Sequence, residues 1–243
     1  MRVRIFEIIK RDLKSIYHSW YLFIIASAPV LFILLMLLAF PLLADILLSI
    51  QSFDLYIYYS ITAITMASLI PVLAGHIFTL LFARESESYI PKDNGAQAYN
   101  QKLIFRIRLI TSFLLSMVFL LIFNFSTDPV TGEGWIRNCY AAFLFALQAP
   151  LVFTFASCYK GKRINGFIVT SLYLLFAIAV PIGLMMYHPW NYLAFFSPLY
   201  WIAWAWIINS PLESIAYGTI SVIITLSYFA ILCRKKFGKF SGT

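Results

Sequence analysis

Long apolar blocks alternate with short polar joints along this chain. Apolar residues dominate from Trp20 to Leu43, Leu55 to Ala83, Arg108 to Phe125, Asn138 to Cys158, Gly166 to Met186 and Ser214 to Cys233. Each block approaches the roughly 20 residues that carry a helix across a bilayer. A helix on the surface of a soluble protein keeps one apolar stripe and one polar face. These blocks are apolar on all sides. The pattern predicts an all-α polytopic membrane protein with six transmembrane helices, at 20–43, 55–83, 108–125, 138–158, 166–186 and 214–233. The first 19 residues follow a different rhythm. Phe6, Ile9, Leu13 and Ile16 step at three and four, and Arg4, Glu7, Arg11 and Lys14 do the same on another face. Glu7 precedes Arg11 by four, the favourable order for a helical ion pair. Residues 1–19 therefore read as an amphipathic helix lying along the headgroup surface.

The joints set the orientation. Residues 84–108, RESESYIPKDNGAQAYNQKLIFRIR, form the longest polar run. They hold Arg84, Lys92, Lys102, Arg106 and Arg108. Lys160, Lys162 and Arg163 crowd the next basic joint, and Arg234, Lys235, Lys236 and Lys239 close the chain. Basic joints stay on the cytoplasmic side. With both chain ends and the loop 84–107 inside, every Lys and Arg except Arg137 lies on the inner face. Pro29 and Pro41 interrupt the first block, where a kink or an early end is expected. Residues 188–213, HPWNYLAFFSPLYWIAWAWIINSPLE, contain Pro189, Pro198 and Pro211 and no base. Too broken for a straight span and too apolar for an ordinary loop, they read as a re-entrant extracellular segment before the last span, with Trp and Tyr at headgroup depth.

Composition sharpens the class. Of 243 residues, 62% are hydrophobic and 12% are charged, against about 25% charged in soluble domains. One membrane domain is expected over 1–243, since no joint is long enough to fold alone. The net charge of +8 is explained by bases at span ends, so nucleic acid is not an expected partner. Cys139, Cys158 and Cys233 are widely spaced and match neither a disulfide framework nor a metal motif. No short apolar core with a small-residue cleavage site follows the charged N-terminus, so no cleaved signal peptide is expected. His18, His76 and His188 lie far apart, which argues against a metal site. Neither Gly161-Lys162 nor Gly238-Lys239 is followed by Ser or Thr, so a phosphate-binding loop is absent from the sequence. A nucleophile elbow is absent too. The chain is not expected to be an enzyme.

The layout resembles the permease subunits of type-2 ABC exporters. The resemblance rests on a surface helix from Val3 to His18 and on six spans with both ends inside. A charged loop after the second span, opening with Glu85 and Glu87, and the broken aromatic segment before the last span complete it. It covers essentially the whole chain as architecture. In many members a Gly and small apolar residues follow the first acid of that loop, whereas here it reads SESYIPKDNGAQAYNQK. The resemblance implies a second permease subunit, identical or related, and two separate ABC ATPase subunits docked beneath on the loop 84–107. ATP and Mg would sit on those partners, and no cofactor on this chain. Glu85, Glu87, Tyr89, Lys92 and Asp93 are the candidates for contacting the ATPase, and a solvated loop with ordinary charges is the plainer alternative. The expected site is the cell (plasma) membrane.

Polar residues inside the spans are candidate pathway groups. His76, Thr65 and Gln148 lie within apolar blocks. An ionisable group at membrane depth is a functional hypothesis by default, and hydrogen bonding between helices is its plain alternative. Spans with so little fixed charge fit an apolar or amphipathic substrate, such as a peptide, a lipid or a drug-like compound. Two other classes stay open at this point: an intramembrane enzyme, or an immunity or assembly scaffold that binds partners without transport.

Overall fold

The structure, a computed structural model, describes residues 2–88, 94–131, 134–158, 163–185 and 194–237. Within these residues every regular element is helical. Helix α1, Arg2–His18, leads through Ser19 into α2, Trp20–Leu34. One widened π turn, Leu35–Ala39, connects α2 to α3, Phe40–Gln51. A short 3-10 turn, Leu55–Tyr58, opens α4, Tyr59–Ser88. Then follow α5, Asn94–Thr131, α6, Trp135–Ala146, and α7, Gln148–Cys158. The last three are α8, Arg163–Met185, α9, Pro198–Ile207, and α10, Pro211–Phe237.

Five helical runs are long and apolar enough to cross a membrane: Trp20–Gln51, Leu55–Arg84, Leu103–Asp128, Trp135–Cys158 and Pro211–Arg234. The sixth expected span, 166–186, falls on α8, whose apolar stretch among the described residues is the shorter Ser171–Val180.

The helices outrun the spans read from hydropathy. The first run continues past Leu43 to Gln51 and stops where Ser52 turns left-handed, at φ 52°. The Ser52 and Phe53 N–H groups then close on the Leu48 and Leu47 carbonyls at 3.2 and 3.4 Å. Pro41 ends nothing. It lacks an N–H and its ring crowds the carbonyl four residues back, and the π turn just before it relieves that crowding. There the Phe40 N–H bonds the Leu35 carbonyl, five residues earlier. The segment 84–107 is also less of a loop than its charge implies. Helix α4 runs on through Arg84, Glu85 and Glu87, all good helix formers, and α5 already begins at Asn94. Positions 89–93, between them, lie outside the described residues.

Helix α4 is the axis of the bundle. It packs against α2, α5, α7 and α8, while α10 packs on α7 and α9. Most of α4 and of the α6–α7 pair is buried, whereas the first run and α10 leave most of their surface outward. The sequence dictates this division. Ala63, Ala67, Ala74 and Gly75 on α4 face Ala142, Ala146 and Ala149 in the same interior. Lipid tails are as apolar as Leu, so helices in a bilayer associate through close packing of small residues rather than through the hydrophobic effect. Large residues point the other way: Phe23, Leu31, Leu38 and Leu42 on the first run, and Ile215, Ile223 and Ile231 on α10, are exposed. At Gly75 the nearest neighbour is backbone. A Cβ there would stand 2.8 Å from the Ala149 carbonyl oxygen and 2.8 Å from Val152 Cβ.

That crossing makes a prediction. Gly75→Leu must force α4 off α7, because the nearest obstacle is backbone. The expected loss is about 3 kcal/mol, read in thermal unfolding in detergent as a fall of roughly 6–12 °C. Gly183→Ala is the control, since its nearest neighbour, Ala194 Cβ, would be at an ordinary 3.6 Å. It should change stability by no more than about 0.5 kcal/mol.

Candidate functional site

At one end of the bundle, α1, the end of α4 and the start of α5 come together. A small aromatic core seats them. Phe105 stacks on Phe153 at 5.0 Å, and Phe82 meets both rings edge-on at 6.1 and 5.9 Å. These rings join α5, α7 and α4, and Leu22, Ile77 and Leu81 complete the cluster. Ile16 of α1 packs against its rim.

A buried ion pair crosses this end. Arg108 Nε donates to Asp12 Oδ2 at 3.0 Å and Nη2 donates to Oδ1 at 2.7 Å. The side chains are 2% and 9% exposed, so the pair is largely buried. Two parallel N–H···O bonds from a planar guanidinium make the strongest side-chain pairing available. Breaking such a pair leaves a buried charge and costs about 3–5 kcal/mol. A second tie lies beside it: Arg84 Nη2 of α4 donates to Ser19 Oγ, at the corner between α1 and α2, at 3.2 Å. The sequence reading counted Arg108 among the loop's bases and gave Asp12 no role. A signal was present, since Asp12 stands beside Ile9 and Ile16 on the apolar side of α1, where it is buried and they are half-buried.

Two of the five expected ATPase contacts lie at the same end. Glu85 and Glu87 fall on the last turn of α4, and their side chains are outside what the structure describes. Tyr89, Lys92 and Asp93 lie outside the described residues.

The three pathway candidates do not converge. Gly75 and Ala149 mark the crossing of α4 and α7, so their neighbours His76 and Gln148 sit at similar depth. His76 turns to α2, where Tyr21 Oη is 3.4 Å from Nε2. Gln148 turns to the opposite helices. Its Nε2 donates to Thr225 Oγ1 on α10 at 3.0 Å, and its Oε1 accepts from Tyr173 Oη on α8 at 2.9 Å. It is fully buried. Thr65, three turns from His76 on α4, donates to its own helix at the Ile61 carbonyl, 2.8 Å away. Through its bonds to Tyr173 and Thr225, Gln148 joins α7 to α8 and α10.

The far end carries a polar cluster with no counterpart in the sequence reading. Asp128 Oδ1 accepts from Asn138 Nδ2 at 2.6 Å and from the Gly134 N–H at 3.0 Å. Gly134 has φ 80°, a value that favours glycine. Asn124 Nδ2 donates to the Asn138 carbonyl at 3.0 Å. Arg137 Nη2 donates to the Trp206 carbonyl, and to that of Ile208 at 2.6 Å, where a cation complements the C-terminus of α9. From there α9 runs back antiparallel along α10. Ser214 Oγ donates to the Ala205 carbonyl at 2.6 Å, Ser221 Oγ to Pro198 at 3.1 Å and Tyr228 Oη to Phe196 at 3.0 Å.

A family model described as "Fluoroquinolones export permease protein Rv2686c-like" matches residues 12–233. The chain belongs to that family. The match begins at Asp12 and ends at Cys233, so it takes in the ion pair, the buried bundle and the α9–α10 hairpin together. Membership makes the chain an export permease, the membrane subunit of a transporter. No curated protein and no solved structure matches it.

The Gln148 network is open to measurement. A double-mutant cycle of Gln148→Ala with Thr225→Val, followed by unfolding in detergent, should show a coupling of about 0.6 kcal/mol, and no more than about 1.7. Additive single effects would remove Gln148 as the joint between α7 and α10.

Proposed function

We propose that this export permease is the membrane-spanning subunit of an ABC exporter in the cell membrane, driven by ATP that separate subunits hydrolyse. The observation that carries the proposal is the family match over residues 12–233. In this reading α8 supplies a sixth span, and both termini and the α4–α5 turn face the cytoplasm, as the placement of the bases favours. Two ATPase subunits dock under a pair of permease subunits, identical or related. Glu85, Glu87, Tyr89, Lys92 and Asp93 form the contact, with ATP and Mg held by the partner. The chain performs no catalysis of its own.

Two features of the fold support the layout. Helix α1 carries an exposed stripe of Phe6, Leu13 and Tyr17 beside the charged face that includes Lys10 and Lys14, and Trp20 at the start of α2 is exposed too. That pairing suits a helix half-sunk in the inner headgroup layer. Helix α9, ten residues long, extends about 15 Å, half of a bilayer's apolar thickness. Its start lies beside Ser221, ten residues into α10, and most of its residues are buried in protein. A broken segment at such depth must be enclosed in protein, so α9 reads as re-entrant from the outer side.

The substrate is apolar or amphipathic, and the family's description points to a drug of the fluoroquinolone class. The interior polar groups support this reading, since Gln148, Ser68 and Thr79 bond to helices and leave few fixed charges for a strongly ionic solute. Among the described residues His76 and Gln148 diverge, which counts against an intramembrane enzyme needing convergent groups.

Affinity purification from native membranes in mild detergent tests the assignment. An ABC ATPase should co-purify with the wild-type chain. Glu85→Lys with Glu87→Lys should reduce its recovery by about tenfold, equivalent to about 1.4 kcal/mol of contact energy, with the permease level unchanged. A wild-type preparation without any ATPase would overturn the assignment.

A further inference from the structure

We infer that the Asp12–Arg108 ion pair is a positioning latch. It makes α1 and α5 a single lever, so that movement imposed at the α4–α5 turn reaches the first span through α1. The inference rests on the proposed coupling to an ATPase and names residues that carry that coupling inward.

The mechanics follow from three placements. Helix α5 begins at Asn94, just beyond the α4–α5 turn, and is unbroken through Arg108 to Thr131. Displacement at its start therefore moves Arg108 with it. Arg108 grips Asp12, at the middle of α1, through two bonds in a largely buried site. With little water at hand, the attraction is stronger than at a surface and harder to exchange for solvent. Helix α1 then joins α2 at Ser19, a single extended residue with φ −108° and ψ 104°. This corner is itself held to α4 by the Arg84–Ser19 bond. So α1 is fastened to both limbs that flank the turn, and the joint into the first run is one residue wide.

The other side of α1 faces outward: Phe6, Leu13 and Tyr17 are exposed, and so are Glu7, Lys10, Arg11 and Lys14. Asp12 is the one acidic residue of α1 among the buried side chains. A helix lying on lipid can slide, and the charge pair fixes its register against α5.

The test uses the permease–ATPase complex in vesicles, with transport and ATP hydrolysis measured in the same preparation. The ratio of substrate moved to ATP consumed is the readout, because a purely structural defect lowers both together. Asp12→Asn and Arg108→Gln should each lower the ratio by about fivefold or more, the lower range of allosteric coupling, while Asp12→Glu should recover part of it. In a background lacking Cys139, Cys158 and Cys233, Asp12→Cys with Arg108→Cys is joined by a short cleavable cross-linker. The joined protein should keep the wild-type ratio, and cleavage should drop it to that of Asp12→Asn. An unchanged ratio in Asp12→Asn would overturn the latch, and so would a cross-link that abolishes transport. The cross-link arm decides the matter even if a single variant accumulates poorly. Absence of ATP-driven transport in the wild-type complex is a different result, and it overturns the underlying assignment of function.

Discussion

The approach of α4 to α7 at Gly75 fixes the spacing of the bundle. No side chain fits between the Gly75 backbone and the Ala149 carbonyl, so the two helices meet almost backbone to backbone. Alanines at 63, 67 and 74 on α4 and at 142 and 146 on α6 are buried in the interior around it. In a bilayer this matters more than in water, because removing apolar surface from lipid yields little. With α4 and α7 locked, α5 and α8 take fixed places around α4, and α10 takes its place on α7.

Polar groups then secure the bundle at three levels. Asp12 and Arg108 hold one end. Gln148 ties α7 to α8 and α10 near the middle. Asp128, Asn138 and Arg137 join α5, α6 and α9 at the other end. Each lies where an unsatisfied group would be costly. Helix α1 lies at one end with its outer side exposed, whereas α9 is seated in the apolar core through Leu199, Ile202 and Trp206 and is tied to α6 and α10 by polar bonds at the other end.

The helices were legible in the sequence because runs of apolar residues near 20 long leave few alternatives. The boundaries were less so. Hydropathy reports where lipid begins, and a helix continues until something stops it. For the first run that stop is Ser52, nine residues beyond Leu43. For α4 the charged Arg84 to Glu87 stretch reads as loop by polarity and as helix by propensity, and helix prevailed. The partnerships were beyond reach. Asp12 and Arg108 are 96 positions apart, and Asn124 and Asn138 are enclosed only by the packing of α5 against α6. Arg137, the base that broke the orientation pattern, turns out to hold the end of α9. His76 and Gln148 stood out as polar residues in apolar blocks, and each meets a neighbouring helix, His76 at Tyr21 and Gln148 at Thr225 and Tyr173.

The account holds that this chain is a conduit moved from its inner face by energy released on another protein. Transport in sealed vesicles of known orientation tests that most directly, using the purified chain with and without its ATPase. Outward movement should require the ATPase and should require ATP on the side that exposes Ser88 and the chain ends. Movement by the chain alone, or movement driven by ATP supplied only on the side that exposes Gly134, would contradict it.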